Sequence, residues 1–168
     1  MAARAARIIL PLFALLAACL ACGGCGQETP ERTVYKFLGA VQSHDVPAMR
    51  SCVNPEAREK VSRGEGELAR TWESLHRVYL AEPVNWRMAI TGVELESEYL
   101  DGERALVRMV SGRCELYRLE GGAWREKGEI DFAREDVAPL YLVRRDGRWF
   151  MEALDLYVVN ALEKAAGG

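Results

Sequence analysis

The 168-residue chain reads as an α+β protein, with helices in its first half and an antiparallel sheet in its second. Three observations predict this. Helix-start signals recur early: Thr29-Pro30-Glu31 and Asn54-Pro55-Glu56 each place a capping side chain, a proline and an acid in order. Apolar residues keep helical spacing up to Leu80, and after Pro83 they alternate. Glycine-bearing turns then punctuate the chain at Asp101-Gly102, Gly121-Gly122 and Asp146-Gly147.

The first helix follows from Val34, Phe37, Leu38 and Val41, spaced i, i+3, i+4, i+7, and it ends near Gln42. Ser43-His44-Asp45 makes a turn. Asp45 caps a short second helix marked by Val46, Met49 and Val53. Asn54-Pro55-Glu56 opens a third helix that runs through Val61 and is broken at Gly64 and Gly66. Glu67 to Leu80 forms a longer helix with Leu68, Trp72, Leu75 and Tyr79 along one buried stripe.

In the second half, Met88 and Ile90 share one strand face, and Val93, Leu95 and Tyr99 share one further on. Parity flips between Ile90 and Val93, with Gly92 at the flip, which predicts a β-bulge there. Glu94, Glu96 and Glu98 fall on the opposite face and read as the solvated side of an edge strand. Asp101-Gly102 turns the chain into a strand over Ala105 to Ser111, and Asp146-Gly147 joins Leu140–Val143 to Trp149–Leu154. Tyr157 to Ala166 reads as a final helix. No internal repeat or second domain is visible.

The N-terminus carries a different message. Arg4 and Arg7 precede an apolar run, Ile8 to Ala18, that ends in Leu16-Ala17-Ala18-Cys19. A basic start, a short apolar middle and small residues at the cut make a secretory signal peptide, too short to span a bilayer. The Leu-Ala-Ala-Cys ending resembles the lipobox of bacterial lipoproteins. That resemblance implies cleavage before Cys19, diacylation of its thiol and acylation of its amine. The expected organisation is a signal peptide over 1–18, a Gly-rich tether over 19–28 and one domain over 29–168. Losing Arg4 and Arg7 leaves 20 basic against 25 acidic side chains, a net charge of about −5. A mildly acidic domain without a basic stripe is a poor nucleic-acid binder and gains little from an anionic lipid surface. The lipid is therefore the expected anchor.

Chemistry-bearing motifs are sparse. Beyond Cys19 the cysteines are Cys22, Cys25, Cys52 and Cys114, in a compartment that permits disulfides, and four thiols allow three pairings. Cys22 and Cys25 read as tether residues; Cys52 and Cys114 form one bridge or are buried singly. His44 reads as an exposed turn residue and His76 as a packed or half-exposed helix residue. Ser43-His44-Asp45 has triad letters, but triads assemble across a fold, not between neighbours. No spacing suits a metal, and no Gly-rich loop suits a phosphate. No catalytic, cofactor-binding or metal-binding residue is assigned, and no cofactor is expected. The acids with the most apolar neighbours are Asp131 and Glu152, and alternation places both on the outward face. Of the aromatics Tyr35, Phe37, Trp72, Tyr79, Trp124, Trp149 and Phe150, most are expected in the core.

The segments ETPERTVYKFLGAVQSHD, NPEAREKVS and LVRRDGRWFMEAL together resemble small bacterial lipoproteins with a cystatin-like, nuclear-transport-factor-2-like domain, the uncharacterised lumazine-binding-like lipoproteins. Members open with a Pro-Glu helix ending in a turn with Asp, continue with a Pro-Glu-x-Arg helix, and close on a Leu-Val-x-x-Asp-Gly-x-Trp hairpin. The resemblance covers residues 29–154 and departs from the family over Cys114 to Val137 and after Leu154. It implies helices packed on a curved antiparallel sheet of four to six strands, with a cone-shaped pocket between them.

Two functions are therefore expected in order. The first is a non-catalytic envelope lipoprotein, exported and lipid-anchored, whose domain binds an envelope protein, a cell-wall component or a small apolar ligand. The second is a small isomerase or hydratase using a buried carboxylate in the cone.

Overall fold

A computed structural model describes residues 28–134 and 137–152, with the backbone alone for 66–68. The signal peptide, the tether cysteines, the expected C-terminal helix and the side chain of Leu68 lie outside the described residues.

Helix α1 (Pro30–Gln42) starts as its sequence dictates: Thr29 is extended and its hydroxyl accepts the Arg32 N–H, with Pro30 in the first turn. Val34, Phe37, Ala40 and Val41 form its buried face. Helix α2 (Val46–Ser51) is capped by Asp45, whose carboxylate accepts the Ala48 N–H at 3.0 Å. Helix α3 (Pro55–Ser62) is capped by Asn54, a buried side chain that accepts the Glu56 N–H. Helix α4 (Gly66–Leu75) passes into one wider, π-helical turn, His76–Leu80, which carries Tyr79 and Leu80 into the core. Trp72 and Leu75 are buried as their stripe predicts.

Five strands follow: β1 (Trp86–Tyr99), β2 (Arg104–Glu120), β3 (Ala123–Asp131), β4 (Leu140–Arg145) and β5 (Arg148–Met151). All pair antiparallel. Strand β2 is central. One of its edges pairs with β1 along nearly its whole length; the other is shared by β4, opposite residues 104–107, and β3, opposite 113–120. The sheet curls into a half-barrel and the helices pack against it, an α+β arrangement consistent with a nuclear-transport-factor-2-like cone. The core at this junction includes Phe37, Met49, Tyr79, Met88, Val107 and Leu116.

Turn chemistry sets the registers. Gly121-Gly122 and Asp146-Gly147 both take positive φ at the two central positions, the geometry whose twist matches paired strands. The bulge falls where parity places it: residues 92 and 93 oppose Gly112 alone, between the pairs Thr91↔Arg113 and Glu94↔Ser111. Gly112 is the partner the sequence does not reveal. Its φ is +116°, and a Cβ there would lie 2.7 Å from Val93 Cα. The strand read as Ala105–Ser111 runs on to Glu120, and β3 occupies much of the stretch that departs from the family pattern.

Strand β1 is an edge strand, and the helices cover its open side with polar side chains. His44 Nε2 meets the Trp86 carbonyl at 3.1 Å, the Tyr79 hydroxyl accepts the Met88 N–H at 3.2 Å, and Gln42 Oε1 accepts the Ile90 N–H at 3.2 Å. The Tyr35 hydroxyl donates to the Val93 carbonyl at 3.0 Å. Past the bulge, Glu94, Glu96 and Glu98 are exposed, as expected of an edge guarded by charge. Covering the first half and charging the second leaves little flat edge for a foreign strand.

Candidate functional site: a groove between the short helices

The residues singled out in the sequence do not converge. Cys19 lies outside the described residues. Cys52 and Cys114 are buried singly as free thiols, so of the two readings left open for them the structure shows no bridge. Cys52 sits at the end of α2 with its thiol 3.4 Å from the Ala48 carbonyl; Cys114 sits in the middle of β2, opposite Ile90 and Ile130. Burial pushes the Cys52 thiol up, and burial with the nearby Glu115 pushes Cys114 up to about 12.

His44 departs from its expected place. It occupies the turn, at φ +57°, but it is half-buried and stacked on Tyr79, with ring centroids 4.3 Å apart and planes 14° from parallel. The stack and the bond to Trp86 make it part of the cover over β1. His76 is exposed. Asp131 is half-buried and its carboxylate is engaged, accepting the Ala133 N–H at 3.1 Å and pairing with Arg134 at 3.2 Å. Glu152 is exposed. Phe37, Trp72, Tyr79, Trp149 and Phe150 are core, whereas Tyr35 and Trp124 are exposed. Tyr79 is wholly buried; burial holds its hydroxyl proton well above the usual phenol range, and it donates to the Val41 carbonyl at 3.1 Å.

Another set of residues does converge, and the sequence did not bring them together because they belong to separate helical segments. Arg50 from α2 and Val53 just after it, Arg58, Val61 and Ser62 from α3, and Trp72 from α4 line a groove of about 360 Å³. That volume is within the range of small-ligand sites, roughly 300–1,000 Å³. On α3 the lining residues are i, i+3 and i+4, so they share one helix face. The Arg50 guanidinium carbon lies 5.7 Å from the centre of the Trp72 ring, in cation–π range. The Ser62 hydroxyl donates to the Arg58 carbonyl at 2.9 Å, which leaves its oxygen lone pairs for another donor.

Two donors in this lining lack partners. Arg58 Nε and Trp72 Nε1 are both buried atoms without a hydrogen bond. Leaving a buried donor unsatisfied costs about 1–3 kcal/mol, so such atoms call for a physical explanation. Several guanidinium groups elsewhere find carboxylates, Arg63 with Glu65, Arg104 with Asp101, Arg108 with Glu98 and Arg113 with Glu129, whereas Arg144 Nε is also buried without a partner and lies over the Trp149 ring. Among the described residues no carboxylate pairs with Arg50 or Arg58. A second groove, at the bulge, is lined by Thr91, Ser111, Arg113 and Asp131 with adjoining glycines, but its charges already pair as described above.

Only one signal in the sequence pointed to the groove. Trp72 is a donor-bearing aromatic on a helix whose other buried positions include Ala69 and Leu75. A buried tryptophan needs a partner for its N–H, and no neighbour in the chain offers one. No protein-family profile matches the chain, and no curated protein matches it.

Proposed function

We propose that this chain is an envelope lipoprotein of the nuclear-transport-factor-2-like kind, held on the membrane through acylated Cys19, and that its folded domain is a non-catalytic binding module using the groove between α2, α3 and α4. The observation that carries the binding role is the pair of unpartnered donors, Arg58 Nε and Trp72 Nε1, in a concave site with apolar walls. The anchoring rests on Leu16-Ala17-Ala18-Cys19. The lining supplies arginine, valine, serine and tryptophan side chains, and none of these takes or gives a proton readily near neutral pH. That set suits recognition better than acid–base chemistry.

Native mass spectrometry of the protein purified from its own membranes tests the binding role. A non-covalent adduct is expected on the natural chain and is expected to be lost in Val61→Trp, whose indole would fill the groove. The thermal midpoint of the variant serves as the folding control. A chain without adduct, or an adduct retained equally by a folded Val61→Trp, removes the reading.

A further inference from the structure

We propose that the groove takes an amphiphilic anion: it binds a carboxylate or phosphate head between Arg50 and Arg58, and the apolar body lies on Val61 and the Trp72 ring. The inference rests on the groove being the binding site and adds the chemical class of what fills it. Apart from the Ser62 oxygen, the polar side-chain groups of the lining are donors only. Arg58 Nε–H and Trp72 Nε1–H are buried and unpartnered, and Arg50 has its ring contact with Trp72 and, among the described residues, no acid. Guanidinium and indole groups cannot accept a hydrogen bond, so a neutral donor ligand would leave them unsatisfied. A cationic ligand would face two like charges. An oxyanion can accept from each of these donor types, and the planar guanidinium fork matches carboxylate and phosphate oxygens.

The walls set the second half of the class. Val61 gives aliphatic surface, and buried Val53, bridged to Met151 of β5, backs it. Trp72 is 7 % exposed, so its ring forms wall and floor, not a surface flap. A bare inorganic anion would use the donors and leave this surface wet. An anion carrying a chain or ring uses both.

A ligand panel on the mature chain with Cys19→Ser tests this, each probe kept below its micelle concentration. Binding is read from the Trp72 indole N–H resonance, assigned by its loss in Trp72→Phe. Decanoate and decyl phosphate are expected to shift that resonance, with decanol and decyltrimethylammonium at least 10-fold weaker, in line with the strength of charge-assisted bonds. Whichever of the two anions binds more tightly identifies the head group as carboxylate or phosphate. Inorganic phosphate is expected to bind more weakly than decyl phosphate. Arg50→Gln and Arg58→Gln are each expected to weaken the anions by about 10- to 100-fold while leaving decanol unchanged. Decanol binding as tightly as decanoate overturns the anion assignment and leaves the groove as the site. An unmoved Trp72 resonance with every probe also overturns it, and the native adduct then decides the binding role separately.

Discussion

Tyr79→Phe isolates one polar atom at the junction of helices and sheet. The substitution keeps the ring, so its stack on His44 and its packing in the core persist. What goes is the hydroxyl, which donates to the Val41 carbonyl at 3.1 Å and accepts the Met88 N–H at 3.2 Å. The two losses are unequal. The Val41 carbonyl keeps the His44 N–H at 3.1 Å. The Met88 N–H sits on the open edge of β1, in a side chain and backbone environment that is buried, and nothing replaces its acceptor. The expected loss is therefore that of one unsatisfied buried donor, about 1–3 kcal/mol. Against a typical domain stability of about 5–15 kcal/mol this is easily measured. Urea unfolding followed by tryptophan fluorescence should show a lower midpoint at unchanged slope. Tyr141→Phe, at a ring that is half exposed, serves as the control and should move little. A Tyr79→Phe loss below about 0.5 kcal/mol would mean that water reaches the β1 edge and that the helices do not seal it.

Three further outcomes follow from the same geometry. Gly112→Ala combines a φ of +116° with a Cβ 2.7 Å from Val93 Cα, whereas Gly92→Ala at φ +61° meets open space; denaturant titration should rank the first well below the second, with a loss of about 2 kcal/mol or more, and equal losses would refute the bulge packing. Stability should fall at alkaline pH, because Cys114 keeps its proton in the fold up to about 12 while the unfolded thiol ionises near 9.0. Its contribution is whole below pH 9.0 and is lost as pH rises toward about 12, at up to about 1.4 kcal/mol per unit; urea midpoints at rising pH should decline less steeply in Cys114→Ala, and parallel slopes would count against the assignment. Cys19→Ser should move the protein from the membrane to the soluble fraction, since the mature chain's charge of about −5 gives anionic lipid no hold; a variant that stays on the membrane contradicts the lipid anchor.

The fold was legible where local chemistry decides structure. The capping side chains of Thr29, Asp45 and Asn54, the prolines beside them and the glycine turns act within a few residues, so reading them in order gave α1 to α3 and the hairpins. The bulge was legible at Gly92 through its parity flip, but not at Gly112, whose constraint is a backbone approach from the neighbouring strand. His44 was misread for the same reason: its turn position is local, whereas its stack on Tyr79 and its contact with Trp86 join residues far apart in sequence. The groove was the least legible feature. Arg50 and Arg58 look like ordinary helix-surface cations, and only the packing of α2, α3 and α4 sets them beside Trp72.

What remains decisive is whether the groove between the three short helices holds a ligand in the living cell. A crystal structure of the lipid-bearing protein, purified from its own membranes without added amphiphile, tests it most directly. Density is expected in the groove, with polar atoms within hydrogen-bond distance of Arg58 Nε or Trp72 Nε1, the two unpartnered donors of its lining. Both donors bonded only to water, with a ligand seated elsewhere on the domain, would contradict it.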